Sequence, residues 1–318
     1  MLKKVDQISS LSEPFFLILL ILINSGCLRT GKIPTISAQN NKIRIPQYLS
    51  FGLQIDRSLF SKELSNTFSI VDEQESEPTI ANIFLQNINL DLINKAKFNI
   101  VMINQEFVEP PSYFRDIDVV ISKTQYSANL MQKFKNKYNL NYRILYSKFT
   151  SPPPENYNSA NIQIPDSGTL SFYHPGGKSP NKGTNSVLDS WVANPNFPLL
   201  TATCRTDKND KHWACYEFHH IKKRNLDTSP PHNIKLYSSF IPQKEYDAMT
   251  QNSSVYIVPS TMEGYGHSVN EARMNGAIAI TTDAPPMNEL VEDGVSGFLI
   301  PWKKKETFNS NVNSERFW

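Results

Sequence analysis

Cysteine is scarce in this chain: Cys27, Cys204 and Cys215 are the three in 318 residues. None stands in a C-x-x-C pair, and three cannot all pair with one another, so a disulfide framework is not expected. Cys204, His212, Cys215, His219 and His220 lie close together, but their spacings match no common zinc site. An excess of charge of one sign is also missing. The 32 Lys and Arg residues nearly balance 30 Asp and Glu, leaving +2, so nothing in the global charge attracts a polyanion. Nucleic acid is therefore not an expected partner, and any phosphate would have to be held by a few placed cations. Long apolar runs are lacking as well. The run "FFLILLILI" at residues 15–23, preceded by Lys3 and Lys4, is nine residues long and too short to cross a bilayer. It reads as the apolar region of a signal peptide or as a membrane anchor; a buried strand at the edge of the first domain is the competing reading.

What remains describes a globular α/β protein. With 39% apolar and 11% aromatic residues and a mean hydropathy of -0.40, 318 residues suffice for two domains, each with its own core. Short strand-like runs recur at 67–71, 80–85, 98–103 and 117–122. They are joined by helical patterns at 52–64 and 126–138, the latter placing Leu130, Met131, Phe134 and Tyr138 on one face. The pattern restarts with strand-like runs at 170–174, 199–203, 234–239, 254–258 and 277–281 and a helix-like run after the glycine-lysine loop at 176–183. Alternation of this kind predicts two Rossmann-like, doubly wound sheets that face each other across a cleft. The expected organisation is a leader or anchor over 1–30, a first domain over 31–150, a proline-rich linker over 151–168 and a second domain over 169–318.

The stretch 259–276, "PSTMEGYGHSVNEARMNG", places Gly264 and Gly266 between a strand and a helix that Gly276 would terminate. Strand, glycine loop and helix form an anion-binding layout, because glycine lets a ligand approach the backbone and the helix start offers unpaired N–H groups. Glu271, farther along, suits hydroxyls rather than phosphate. A ligand carrying both diphosphate and sugar hydroxyls satisfies both features.

These residues resemble the two-glutamate motif of retaining glycosyltransferases of the two-Rossmann-domain, GT-B type, family-4-like. The likeness is specific over roughly 165–301, carried also by "GGKSPNKGT" (176–184) and "GAIAITTDAPPMNELVEDGVSGFLIP" (276–301), and looser over 99–107 and 118–131. The resemblance implies that Glu271 holds ribose hydroxyls and that Glu263 lies near the transferred sugar. The amides of Tyr265, Gly266 and His267, with Gly264 beside them, would meet the diphosphate together with Lys178 and Lys182. The family usually has arginine where Lys178 stands, so the bidentate fork is replaced by a point charge. Asn104 and Glu106 are the candidate sugar or acceptor contacts, where relatives often place a histidine. No cofactor beyond the nucleotide-sugar donor is expected. Asp116 and Asp118 form a literal Asp-x-Asp that reads as a turn and strand start rather than a metal site. The acceptor would be a glycan, protein or lipid hydroxyl. Relatives usually continue for several helices after the stretch matching 297–301, so a shortened C-terminal part is expected. A binding remnant without catalysis, and an epimerase or phosphorylase on the same fold, are the alternatives.

Overall fold

The computed structural model describes residues 41–48, 51–148, 170–177, 179–204, 229–239 and 241–303. The apolar run at 15–23, the linker at 151–168, Lys178 and the cysteine-histidine stretch beyond Cys204 lie outside them.

The first domain is a six-stranded parallel sheet of β1 (Lys42–Arg44), β2 (Ser69–Val71), β3 (Thr79–Leu85), β4 (Ala96–Ile103), β5 (Val119–Ser122) and β6 (Arg143–Tyr146), in the order β2-β1-β3-β4-β5-β6. Strands of a parallel sheet are covered on both faces, which is why β3 and β4 read as mostly apolar runs, interrupted by the buried Asn82 and Asn99. Alternation divides them: Ala81, Ile83, Leu85, Ile100 and Met102 pack with Phe60 and Leu64 of helix α1 (Phe51–Leu64). Phe84, Val101 and Ile103 face the other way, toward Met131 and Phe134 of helix α2 (Gln125–Tyr138). Thr124 caps α2 by accepting from the Ser127 amide, and Asn139 closes it in the left-handed conformation. Asp118 has a local role at the start of β5: its Oδ2 accepts from the Asn99 amide of β4 at 2.9 Å.

The second sheet contains β7 (Phe172–Gly177), β8 (Leu200–Cys204), β9 (Ile234–Tyr237), β10 (Val255–Val258), β11 (Ile278–Thr282) and β12 (Gly297–Ile300). Its order, β12-β11-β10-β7-β8-β9, is also wholly parallel. The chain winds outward one way from β7 and the other way from β10. That reversal opens a crevice at the carboxyl ends of these two strands, where doubly wound sheets bind ligands. Helices α3 (Thr184–Ala193), α4 (Gln243–Gln251) and α5 (His267–Met274) complete the layers. Gly276 ends the α5 pattern as the sequence suggests: its φ is 69°, its amide bonds Arg273 O, and the Ala277 amide bonds Ala272 O.

Four elements were not read from the sequence. β1 and β6 are short and carry charged residues, α4 is polar along most of its length, and β12 keeps Phe298 half exposed at the sheet edge. Their signals are weak because their positions are set by neighbours that already form the sheet.

Candidate functional site

Three loops meet at the β7–β10 crevice. The first leaves β7 through Gly176 and Gly177. A Cβ on Gly176 would lie 2.7 Å from both Thr184 Oγ1 and Thr203 O, so only glycine fits there. A short 3-10 turn, Pro180–Lys182, follows, and Gly183 at φ 73° leads into α3. His174 holds this loop from beneath. It is fully buried; Nδ1 donates to Ile257 O of β10 at 2.8 Å, and Nε2 therefore accepts from the Thr184 hydroxyl at 2.9 Å. Burial pushes its pKa down to about 4, so the ring is neutral at ordinary pH. One imidazole thus ties β7, β10 and the start of α3 together.

The second loop leaves β10 at Pro259. The amide of Thr261 bonds Asn181 O at 2.8 Å, joining it to the first loop, and Thr282 Oγ1 donates to Ser260 O from β11. Glu263 is the hub. Its Oε1 accepts from Lys182 Nζ at 2.6 Å and from Ser260 Oγ at 2.6 Å, in a largely buried setting. Lys182 and Glu263 were both expected at the site, but their direct pairing was not. Gly266, at φ 107°, is the N-cap of α5 without a side-chain capping bond, so the helix opens on backbone alone.

Glu271 lies one turn into α5 among Tyr246, Tyr173 and Tyr256. Tyr246 donates to its Oε2 at 3.3 Å, yet burial dominates and pushes the carboxyl up to about 7. Some surface of the residue stays accessible.

The third loop comes from the first domain. Asn104 ends β4, and Gln105–Phe107 form a 3-10 turn. Asn104 Nδ2 bonds Gln86 Oε1, and its side chain lies against Gly264, where a Cβ would come within 2.7 Å. Gln105, between the candidates Asn104 and Glu106 in the sequence, donates to the backbone carbonyl of Glu263 at 2.8 Å. Glu106 is pushed up to about 7 by burial and by Glu263, with Lys182 and Lys123 opposing the shift. Lys182, Glu263, Gly264, Asn104 and Glu106 therefore share one locality, and Glu271 stands on the helix that leaves it.

The glycine loop of the second domain packs into the first. Tyr265 is 3% exposed and belongs to that domain's core, beside Leu85 and Met102. His267 Nε2 meets Asp56 Oδ1 of α1 at 3.1 Å, and Asp56 Oδ2 meets Lys123 Nζ at 3.0 Å. Glu289 accepts from the first two amides of α2, Gln125 and Tyr126, at 2.7 Å each, where a carboxylate suits the helix dipole. Asp56, Lys123, His174 and Glu289 carried no sequence signal of this kind. Two surface hollows, about 590 Å³ beside Arg57 and Lys62 and about 450 Å³ beside Arg273 and Phe298, are lined by none of these residues.

Among the described residues no group of three or more His, Cys, Asp or Glu side chains is placed to hold a metal ion, and no helix is long and apolar enough to cross a membrane.

Comparison with known proteins agrees with this architecture. Residues 217–314 match the family described as Glycosyl transferases group 1. The structure is similar to the pneumococcal O-GlcNAc transferase GtfA, solved with UDP and GlcNAc, at a TM-score of 0.51 and 16% identity over 71% of this chain and 47% of that one. It is also similar to the α,α-trehalose 6-phosphate synthase of Burkholderia multivorans, at a TM-score of 0.50 and 8% identity over 71% of this chain and 59% of that one. The chain thus spans about half the length of the solved structures it resembles. No curated protein matches its sequence. Residues 217–314 thus match the Glycosyl transferases group 1 model, and the described residues carry the two-sheet GT-B fold.

Proposed function

We propose that this protein is a glycosyltransferase that moves a sugar from a nucleotide-diphosphate sugar to a hydroxyl acceptor with retention at the anomeric carbon. The observation that carries the reading is the convergence of Lys182, Glu263 and the glycine-capped start of α5 at the β7–β10 crevice, with Glu271 farther along the same helix.

In this reading the diphosphate lies between Lys182 and the backbone of residues 264–267, and Lys182 exchanges its ion pair with Glu263 for the ligand's phosphate oxygens. Released from Lys182, Glu263 accepts a hydroxyl of the sugar. Glu271 accepts from the ribose hydroxyls, a role that requires its ionised form. Lys182 and backbone dipoles stabilise the leaving diphosphate without a metal ion, so transfer continues in excess chelator. Asn104 and Glu106 approach from the first domain, on the acceptor side. The protein's contribution is placement and charge stabilisation rather than a covalent nucleophile.

A panel of nucleotide sugars, screened by thermal shift and then by donor hydrolysis in chelator, tests this reading. Stabilisation by at least one nucleotide sugar followed by slow hydrolysis is expected. Binding without turnover would assign the chain to a binding role, and turnover restored only by magnesium or manganese would remove the metal-free mechanism.

A further inference from the structure

The loop over 263–267 is held by the domain opposite its own. Tyr265 is seated in the first domain's core, Gly264 lies against Asn104, and Gln105 bonds the carbonyl of Glu263. A fourth anchor, from Asp56 to His267, is the most specific. Asp56 is 1% exposed on α1, and each of its oxygens meets a different partner: Oδ1 meets His267 Nε2 at 3.1 Å, and Oδ2 meets Lys123 Nζ at 3.0 Å. Lys123, equally buried just after β5, also lies 5.5 Å from the centre of the Tyr265 ring, whose hydroxyl accepts from Asn270 Nδ2 of α5 at 2.6 Å. The rings of Tyr265 and His267 meet edge to face at 5.2 Å. A buried carboxylate with a lysine on one oxygen is ionised and needs a donor on the other, so the imidazole presents Nε2–H toward it. Burial alone would raise the Asp56 pKa, but the charge of Lys123 and the bonds from His267 and Lys123 outweigh it and hold the carboxyl below its ordinary value.

We propose that Asp56 is a positioning residue of the donor site: from the first domain it fixes His267, and through it the turn from Gly266 into α5 that would receive the diphosphate. His267 is the first residue of α5, so a side chain locked across 211 residues of sequence also locks the backbone at the helix start. The Gly266 N-cap has no side-chain capping bond of its own, and glycine offers little resistance to reshaping; the anchor supplies what the cap lacks. In this role Asp56 acts through His267. The inference rests on the donor-site reading of the preceding section.

The test uses the full chain with Asp56→Asn, and with the double change Asp56→Asn/Lys123→Met, which also removes the buried ammonium that the single change deprives of its Asp56 partner. UDP, GDP and ADP and their nucleosides are titrated calorimetrically, and cooperative unfolding is checked for each variant. Both variants are expected to bind the diphosphate that the parent binds at least tenfold more weakly while keeping the parent's affinity for the nucleoside, whose contact at Glu271 lies farther along α5. His267→Gln, which returns an amide donor toward Asp56, should recover part of the loss that His267→Ala shows. A folded double variant with parental diphosphate affinity overturns the inference and leaves the donor site standing. An equal loss for nucleoside and diphosphate also overturns it, since that pattern marks general loosening. A parent that binds none of the three diphosphates removes the donor-site reading and this inference with it.

Discussion

At Glu271 the burial that prepares a ligand contact also costs stability. The folded carboxyl titrates at about 7, above its ordinary value of 4.5, so the native state holds the proton more tightly than the unfolded chain. Its stabilising contribution is complete below the ordinary value and is lost as pH rises through 7. Glu271→Gln should therefore raise ligand-free stability at pH 8 by about 1 to 3 kcal/mol and change it little at pH 4 to 5, as urea denaturation at both pH values would read. In the parent, nucleoside affinity should increase from pH 6 to pH 8, because hydroxyl donors favour the ionised form. The glutamine variant should show weak affinity without that slope. Lys182 gives a complementary result. Lys182→Ala should weaken nucleoside diphosphate binding by roughly 1.5 to 3 kcal/mol, the range for hydrogen bonds to charged groups, and leave the nucleoside unaffected. Its effect should shrink as salt rises, since the diphosphate term is screened. Equal diphosphate binding by parent and variant would remove Lys182 from the donor site.

The β7–α3 connection has a steric rather than an electrostatic requirement, and two glycines within it separate conformation from space. Gly177 has φ 57° with nothing within 4 Å of where a Cβ would stand, whereas Gly183 has φ 73° and a Cβ there would lie 2.5 Å from Pro259 O. Alanine at 177 should cost about 1 kcal/mol, the left-handed penalty alone. Alanine at 183 should cost more, on the order of 2 to 4 kcal/mol, because backbone must also move out of the second loop. Chemical denaturation of the two variants compares them directly, and equal losses would show that the Pro259 contact yields freely. His174→Phe should act on the same elements: it strands the Ile257 carbonyl and the Thr184 hydroxyl, at roughly 1 to 3 kcal/mol for each unsatisfied group.

Across the whole molecule, the two sheets are joined by side chains that leave one domain and finish in the other. Tyr265 belongs by sequence to the second domain and by packing to the core of the first. Tyr265→Ala should destabilise by roughly 3 to 5 kcal/mol, as large-to-small core changes do. It should also broaden or split the calorimetric unfolding transition, since each sheet has its own apolar cores and the tyrosine couples them. A variant that unfolds in one sharp transition at a lower temperature would show that the remaining contacts, from Glu289, Gln105 and Asp56, suffice for cooperativity.

Much of the fold was legible because its determinants are local. Mostly apolar runs such as 98–103 and 119–122 declare strands covered on both faces, the spacing of Leu130, Met131 and Phe134 declares a helix stripe, and Gly183, Gly266 and Gly276 stand where φ is positive. The positions of the candidate residues at the β7–β10 crevice were legible for a similar reason: the glycine loop, Lys182 and Glu263 lie in connections that leave strands, and Glu271 stands one turn into the helix that follows. Pairings between distant residues were not legible. Asp56 with His267, Gln105 with the Glu263 carbonyl and Lys182 with Glu263 are separated by 211, 158 and 81 positions, and no periodicity links them. Nor could the sequence place Tyr265, an ordinary aromatic in a loop, in the core of the other domain. Local residue order determines backbone conformation and which faces avoid water. The partner of a buried polar group is decided only when two sheets close on each other and water leaves, because each carboxylate, amide and ammonium trapped there must then find its counterpart within about 3 Å.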